Sequence, residues 1–307
     1  MKEANAIFFF LVSLRTSANG QGELGYILSY LSPVAGEGQD ETDKHIYSSL
    51  QCMNETKRLK ILSYNVQVGI PMAGAHHYVL NSWRHFIPHR GRLRNLQKIA
   101  ELIQPYDLVG LQEVDGGSFR SSFVNQIDYL GRVGDFAYWT QQNTRNFGRY
   151  AQHSNGLLSR HPIHKIHHYR LPTLIPGRGV VTFCLGRSDN PIFVANVHLS
   201  LGKRTRDQQL TYLAGLIRHF EHVIILGDFN ILPEPLQKHS LIKEKRLQIA
   251  NLHTRTFPSW RPNRLLDYVL LSPGLKIIEA KVLESAFSDH LPVSVEIEVP
   301  AAVHLEG

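Results

Sequence analysis

One pattern constrains this chain more than any other: short apolar runs that are each bounded by an amide, a carboxylate or an imidazole. Asn65 closes the run in LSYNVQ, Glu113 the run in LQEVD, His198 the run in ANVHLS, and Asp228 with Asn230 the run in HVIILGDFN. Asn155 in HSNGLLSR, Asp267 in LLDYVLLS, and Asp289 with His290 in SDHLPV stand at the edges of three more. Runs of roughly four to eight residues rich in Val, Ile and Leu read as buried strands. Singly, each polar group has a plain structural explanation: Asn65 capping a turn, Asp228 and Asn230 forming an Asx turn, Asp289 starting a loop. Jointly, they predict that the ends of several buried strands meet at one edge of the sheets.

Helical patterning is sparser. Arg90–Gln104 sets Leu93, Leu96, Ile99, Ala100 and Ile103 on one face, and Pro105 ends it. A second helix is predicted over Thr205–Phe220, with Leu210, Leu213, Ala214 and Ile217 inward. Many strands with few, separated helices predict an α+β fold in which two packed sheets form a β-sandwich flanked by helices. The stretches Gly74–Arg94 and Gly116–Asn155 read as long loops, and loops of that length are usually functional. The strand-rich domain runs from about Lys57 to Pro300, with residues 301–307 as a tail.

Residues 1–56 differ from the rest. Ala6–Leu14 is apolar, and a Gly-rich, acidic stretch without periodicity follows it, so the segment reads as a poorly ordered extension. No apolar run reaches the ~18 residues of a transmembrane helix. Lys2 before Ala6–Leu14 fits a signal segment, whereas Glu3, Arg15 and the lack of a small-x-small cleavage site argue against one. Met53 lies just before the strand-rich domain and is expected to be the true start. That reading gives a cytoplasmic protein with Cys184 as its only cysteine; the rival is a secreted or membrane-tethered form.

The 307 residues are 43% hydrophobic, enough for one large core, and 19% charged, which excludes global disorder. The two cysteines form no disulfide framework and no CxxC. A net charge of +7 leans toward an anionic partner. Carboxylates that converge repel each other unless a cation or a shared proton compensates. Amide and carboxylate oxygens suit Mg²⁺, with Mn²⁺ as substitute, rather than Zn²⁺. No HExxH or Cys/His pattern competes.

The segments LSYNV, LQEV, NGLLSRHPI, VHL, GDFN, LDYVLLS and SDHLPV, in this order, resemble the endonuclease/exonuclease/phosphatase superfamily. That group contains deoxyribonuclease I, exonuclease III-type nucleases, neutral sphingomyelinases and inositol polyphosphate phosphatases. The resemblance covers about Lys57–Pro300, with no departure at these positions. It implies a deoxyribonuclease I-like four-layer fold with its active site at the top edge of the sandwich. It implies that Glu113 binds the metal, helped by Asn65 and Asp289, and both a one-metal and a two-metal site fit. Asp228 is then the base that takes a proton from water, and Asn230 positions the water or the phosphate. His290 stabilises phosphoryl charge and Asp267 orients its ring. His198 meets the phosphate or the leaving group, and Asn155 donates to a phosphate oxygen. Attack by water is in line and without a covalent intermediate, because no activated Ser or Cys stands in these motifs.

Arg149, with Arg145 and His153, precedes Asn155, and Arg261 and Arg264 precede Asp267. These groups are candidates for reading a head group or a backbone phosphate, against the plainer reading of solvated loop charge. Trp83, Phe86, Trp139, Tyr150 and Trp260 are candidates for stacking on bases or touching lipid, against packing beneath loops. His76, His77, His161, His164, His167 and His168 read as surface histidines.

The expected activity is hydrolysis of a small phosphodiester or phosphomonoester, a membrane lipid head group included, by a monomer. His198 in VHL resembles the phosphatase, sphingomyelinase and deoxyribonuclease I side of the superfamily, whereas LLDYVLLS resembles the repair nucleases. Basic loops mixed with His and Asn fall short of a duplex-tracking face. A nuclease acting on nucleic acid is the alternative. The second alternative is a catalytically silent binding protein, which is expected to lose Glu113, Asp228 or His290; all three are present.

Overall fold

A computed structural model describes residues 57–70, 90–173, 177–285 and 287–305. The readings of residues 1–56, of His76 and His77 and of Trp83 and Phe86 lie outside the described residues. The strands are β1 (Lys57–Asn65), β2 (Leu108–Asp115), β3 (Tyr138–Asn146), β4 (Gln152–Ser159), β5 (Ile163–Arg170), β6 (Gly179–Leu185) and β7 (Ile192–His198). They continue with β8 (His222–Asp228), β9 (Gln248–Ile249), β10 (Asp267–Leu271), β11 (Lys276–Val282) and β12 (Val293–Val299). The helices are α1 (Arg90–Ile103), α2 (Gln126–Val133), α3 (Lys203–Leu216), α4 (Pro233–Lys238) and α5 (Ser240–Lys245).

Two mixed six-stranded sheets result, in the orders β11-β12-β1-β2-β4-β3 and β5-β6-β7-β8-β10-β9. Side-chain alternation sorts the apolar residues into three cores. Along β8, Ile224 and Leu226 enter the layer between the sheets, where they meet Ile61, Leu108 and Phe183. Val223 and Ile225 enter the outer layer with Leu210 and Leu213 of α3 and Leu241 of α5. Leu62, Tyr64 and Val109 of the other sheet pack on Leu96 and Ile99 of α1 and Ile127 of α2. The order of layers is helix, sheet, sheet, helix. At the centre the sheets close tightly: a Cβ on Gly110 would lie 1.8 Å from Leu226 Cδ1. Asn196 ties the sheets there, taking the Gln112 amide at 2.7 Å and donating to the carbonyls of Leu111 and Gly156 at 2.9 and 2.7 Å.

Each sheet holds one parallel pair, β1/β2 and β7/β8. Parallel strands end on the same side, so Asn65, Glu113, His198 and Asp228 come to one edge. The antiparallel neighbour β10 begins there, and its register sets Asp267 opposite Asp228.

Several local expectations change. Leu93 is 48% exposed, while Arg92 and Asn95 take inward positions on α1. The α3 helix stops at Leu216, and Ile217 serves as its C-cap. Gly116–Asn155 is not one loop; it contains α2, β3 and the start of β4. The β3 strand YWTQQNTRN is a polar sheet edge without apolar alternation, so its pattern hid it. The signal for α2 was present: the Asn125 side chain caps it, accepting from Ile127 N and Asp128 N. Val303 and Leu305, within the expected tail, are buried in the core between the sheets. His164, His167 and His168 lie on the edge strand β5. Among the described residues no helix is long and apolar enough to cross a membrane.

Candidate functional site

Asp228 is the hub of the edge. Its Oδ2 lies 3.2 Å from Asn65 Nδ2, 3.4 Å from His198 Nε2 and 3.9 Å from His290 Nε2. Its Oδ1 accepts the Asn230 N–H at 3.0 Å. Gly227 makes this turn possible. Its φ is +139°, and a Cβ there would stand 2.0 Å from the Val197 carbonyl oxygen. Burial pushes the Asp228 carboxyl up, opposed by His290 and helped by Asp267 and Glu113, to about 7.

His290 Nδ1 donates to Asp267 Oδ2 at 2.8 Å. Burial alone would discharge this imidazole, but Asp267 and Asp228 outweigh it and raise the ring to about 10. His198 behaves oppositely: burial first, then the charges of Arg178, His290 and His153, hold it well below the ordinary histidine value. The two imidazoles that face this carboxylate are therefore pushed in opposite directions, His290 toward the charged form and His198 toward the neutral one.

Glu113 reaches the edge through a bulge. The pairing of β2 with β4 shifts register between Leu111 and Val114, and Glu113 takes φ +54°. Such bulges re-aim a side chain, and a non-Gly residue at positive φ marks stored strain. The Glu113 carboxylate is partly exposed and lies 3.7 Å from His198 Nε2. Asp289 is buried and accepts from Ser288 Oγ at 3.2 Å. Burial, opposed by His290 and helped by the charge of Glu113, pushes its carboxyl up to about 6. The carboxylates of Glu113 and Asp289 are near enough for the charge of one to be felt by the other, and carboxylate oxygens suit a hard divalent cation that would relieve it. Asp228, Asp267 and His290 also offer ligand atoms within 4.8 Å of one another. The Asp267–His290 hydrogen bond already occupies one atom of each of those two.

Asn230 donates its amide to the Leu199 carbonyl at 3.1 Å, and Asn155 donates to the Gly179 carbonyl at 3.3 Å. Asn155, Glu113 and His198 line a cavity of about 430 Å³ that also takes in Arg145, His153 and Arg178. Arg149 is exposed, as Arg145 is, but is not part of that wall, and Arg261 and Arg264 are likewise exposed and outside it. Trp139 packs against the core under α1 and α2, while Tyr150 is 75% exposed.

Two features escaped the sequence reading. Arg178 borders the apolar run VVTFCLG, so the rule that found the other strand-edge groups applies to it too. Asp115 lies just past Glu113, fully buried, and accepts from Gly117 N, Ser118 N, Ser118 Oγ, Ser121 Oγ and the Arg120 guanidinium. Arg120 in turn reaches the Gln152 carbonyl at 2.8 Å and the His153 ring at 3.3 Å. This network pins the chain behind the Glu113 bulge.

The model of the endonuclease/exonuclease/phosphatase family matches residues 62–290, the stretch that carries every strand-edge group above. The chain belongs to the endonuclease/exonuclease/phosphatase family. Members of that family are hydrolases acting on phosphoester bonds and usually use a divalent metal. No curated protein matches the chain. Solved structures share its fold. A family protein from Beutenbergia cavernae has 18% identity and a TM-score of 0.59, over 79% of this chain and 72% of that one. A mannosyl-6-phosphatase from Bacteroides thetaiotaomicron has 18% identity and a TM-score of 0.57, over 78% and 99%. The human Nocturnin catalytic domain has 17% identity and a TM-score of 0.56, over 79% and 95%.

Proposed function

We propose that the chain hydrolyses a small phosphoester, free or lipid-linked, by in-line attack of water on phosphorus. The observation that carries this reading is the convergence of Asn65, His198 and His290 on one Asp228 carboxylate, with Asp267 behind His290. A carboxyl poised at about 7 is matched to taking a proton from water at neutral pH. As the water oxygen bonds to phosphorus, its proton passes to Asp228 and the bond to the leaving oxygen breaks. Charge grows on the phosphoryl oxygens. His290, charged and oriented by Asp267, meets that charge from a fixed position, where no reorganisation is needed. His198, held neutral, offers an N–H at the phosphate or the leaving group. Asn155 borders the same cavity, and Asn230 ties the Asp228 carboxylate, through its backbone N–H, to the Leu199 carbonyl just past β7, through its amide.

Glu113, with Asn65 and Asp289, would hold Mg²⁺, which when bound neutralises phosphoryl charge. The concave wall beside the cluster supports a small substrate over a duplex. The test is a Mg²⁺-dependent panel of nucleic acid, phospholipid head group, inositol phosphate and nucleotide substrates, with Asp228→Asn as the blank. Turnover of a small or lipid-linked ester, absent from the blank, is the expected result. Equal rates for the protein and its blank on every substrate would mean a silent binding protein. A nuclease is the second reading, favoured by exposed Phe119, Phe123, Phe147 and Tyr150 in the segments leading to the cavity. Faster nicking of abasic-site DNA than of any other substrate would establish it instead.

A further inference from the structure

The cavity beside the strand-end cluster has a wall that the hydrolytic machinery does not use. Neither Asp228 nor His290 lines it. Two guanidinium groups do, Arg145 and Arg178, together with the hydroxyls of Thr144, Ser200 and Thr205. Arg145 comes from the polar edge strand β3. Its stem crosses Gly177, where a Cβ would meet Arg145 Cδ at 3.3 Å, and its head stacks 4.5 Å from the Phe147 ring centroid. Arg178 is the next residue, at the entrance to β6. Among the described residues neither guanidinium lies within ion-pair distance of a carboxylate. Burial, and then the charge of Arg145, lower the Arg178 guanidinium against the opposing pull of Glu113 and Asp228.

Two guanidinium groups crowded at one cavity repel each other, and a bound anion relieves that repulsion. The planar fork of arginine matches the oxygens of a phosphate. The wall also carries the hydroxyl of Ser154, the Asn155 amide and the imidazoles of His153 and His198, and among the described residues no Trp, Tyr or Phe lines it. A ring of hydroxyls finds many donors and acceptors on this wall, in Thr144, Ser154, Asn155, Ser200 and Thr205.

We propose that this cavity binds the part of the substrate beyond the scissile phosphate, and that this part is a polyhydroxylated group bearing a phosphate of its own, gripped by Arg145 and Arg178. The proposal rests on the phosphoesterase reading and names its substrate class. Its test compares myo-inositol 1,4-bisphosphate with myo-inositol 1-phosphate in steady-state kinetics with Mg²⁺, in the wild type and in Arg178→Ala. The bisphosphate is expected to have the higher kcat/KM by roughly 10-fold or more, mostly through KM, and Arg178→Ala is expected to erase that advantage. Equal kcat/KM for the two substrates in the wild type overturns the proposal. So does a loss of equal size for both substrates in Arg178→Ala, because Arg178 then serves the scissile phosphate. Calorimetric titration of myo-inositol 1,4-bisphosphate into Asp228→Asn separates the two readings. Binding there that Arg178→Ala removes, when the wild type hydrolyses no phosphoester of the panel, upholds the cavity and refutes the phosphoesterase reading. No binding by Asp228→Asn, in a protein whose wild type cleaves other phosphoesters, refutes the cavity and leaves that reading standing.

Discussion

Asp115→Asn would show how strongly charge holds the chain behind Glu113. The amide keeps the shape of the side chain but removes its negative charge. Arg120, whose side chain is 2% exposed, is left with neutral partners only, the Gln152 carbonyl and the His153 ring among them. Removing one partner of a buried ion pair costs about 3–5 kcal/mol, because the survivor is an uncompensated buried charge. Against a total stability of roughly 5–15 kcal/mol, that is a large share. At about 2–4 °C per kcal/mol for a domain of this size, Tm should fall by roughly 10 °C. Urea denaturation gives the free energy directly, and Asp115→Asn/Arg120→Met should recover part of it. The pH dependence follows from the Asp115 carboxyl. Burial alone would raise it, but Arg120 and the Ser118 donors outweigh burial and hold it below its usual value. A carboxyl depressed in the folded state adds stability that is complete above its unfolded pKa and is lost as pH falls through the folded one. The gap between wild type and variant should therefore be full at pH 7 and shrink below about pH 4. A loss under about 1 kcal/mol at pH 7, or a double variant no more stable than the single one, would refute the reasoning.

Asp228→Asn and His290→Ala should each lower kcat by roughly 10²-fold or more with KM little changed, and Asp267→Asn should do less; steady-state kinetics reads all three. Chelation should abolish hydrolysis, Mg²⁺ or Mn²⁺ should restore it and Zn²⁺ should serve poorly; full activity in metal-free protein sinks the oxygen-donor site. Glu113→Gln should raise the Mg²⁺ concentration for half-activation by roughly 10-fold or more, measured by metal titration of the rate. Gly227→Ala should cost about 3 kcal/mol in thermal unfolding and depress kcat too, since φ +139° and the Val197 carbonyl leave no room for a Cβ beside Asp228.

The strand-edge groups were legible because their signal is local. An apolar run followed at once by Asn65, Glu113, His198 or Asp228 is visible within one segment. The same holds for α1, except at Leu93, where a helical face drawn too wide included a position that faces solvent. The β3 strand was not legible: an edge strand needs little apolar surface, so YWTQQNTRN reads as a loop until β4 pairs with it. The short α4 and α5 helices left no long periodic pattern either.

The sequence by itself determined the family, the sandwich of two sheets with flanking helices and the residue types that gather at its edge. These depend on side-chain chemistry and on periodicities of two or 3.6 residues, which neighbours in the chain express. The tertiary structure alone decided that Asn65 meets Asp228 across 163 residues and that a bulge turns Glu113 toward the edge, and it set the 2.8 Å between His290 and Asp267, a pairing the resemblance had implied. It also decided that Arg145 and Arg178 share a cavity and that Arg149 stays outside it. Those facts are set by strand register and sheet packing, in which each partner comes from a distant segment, and no single segment encodes them.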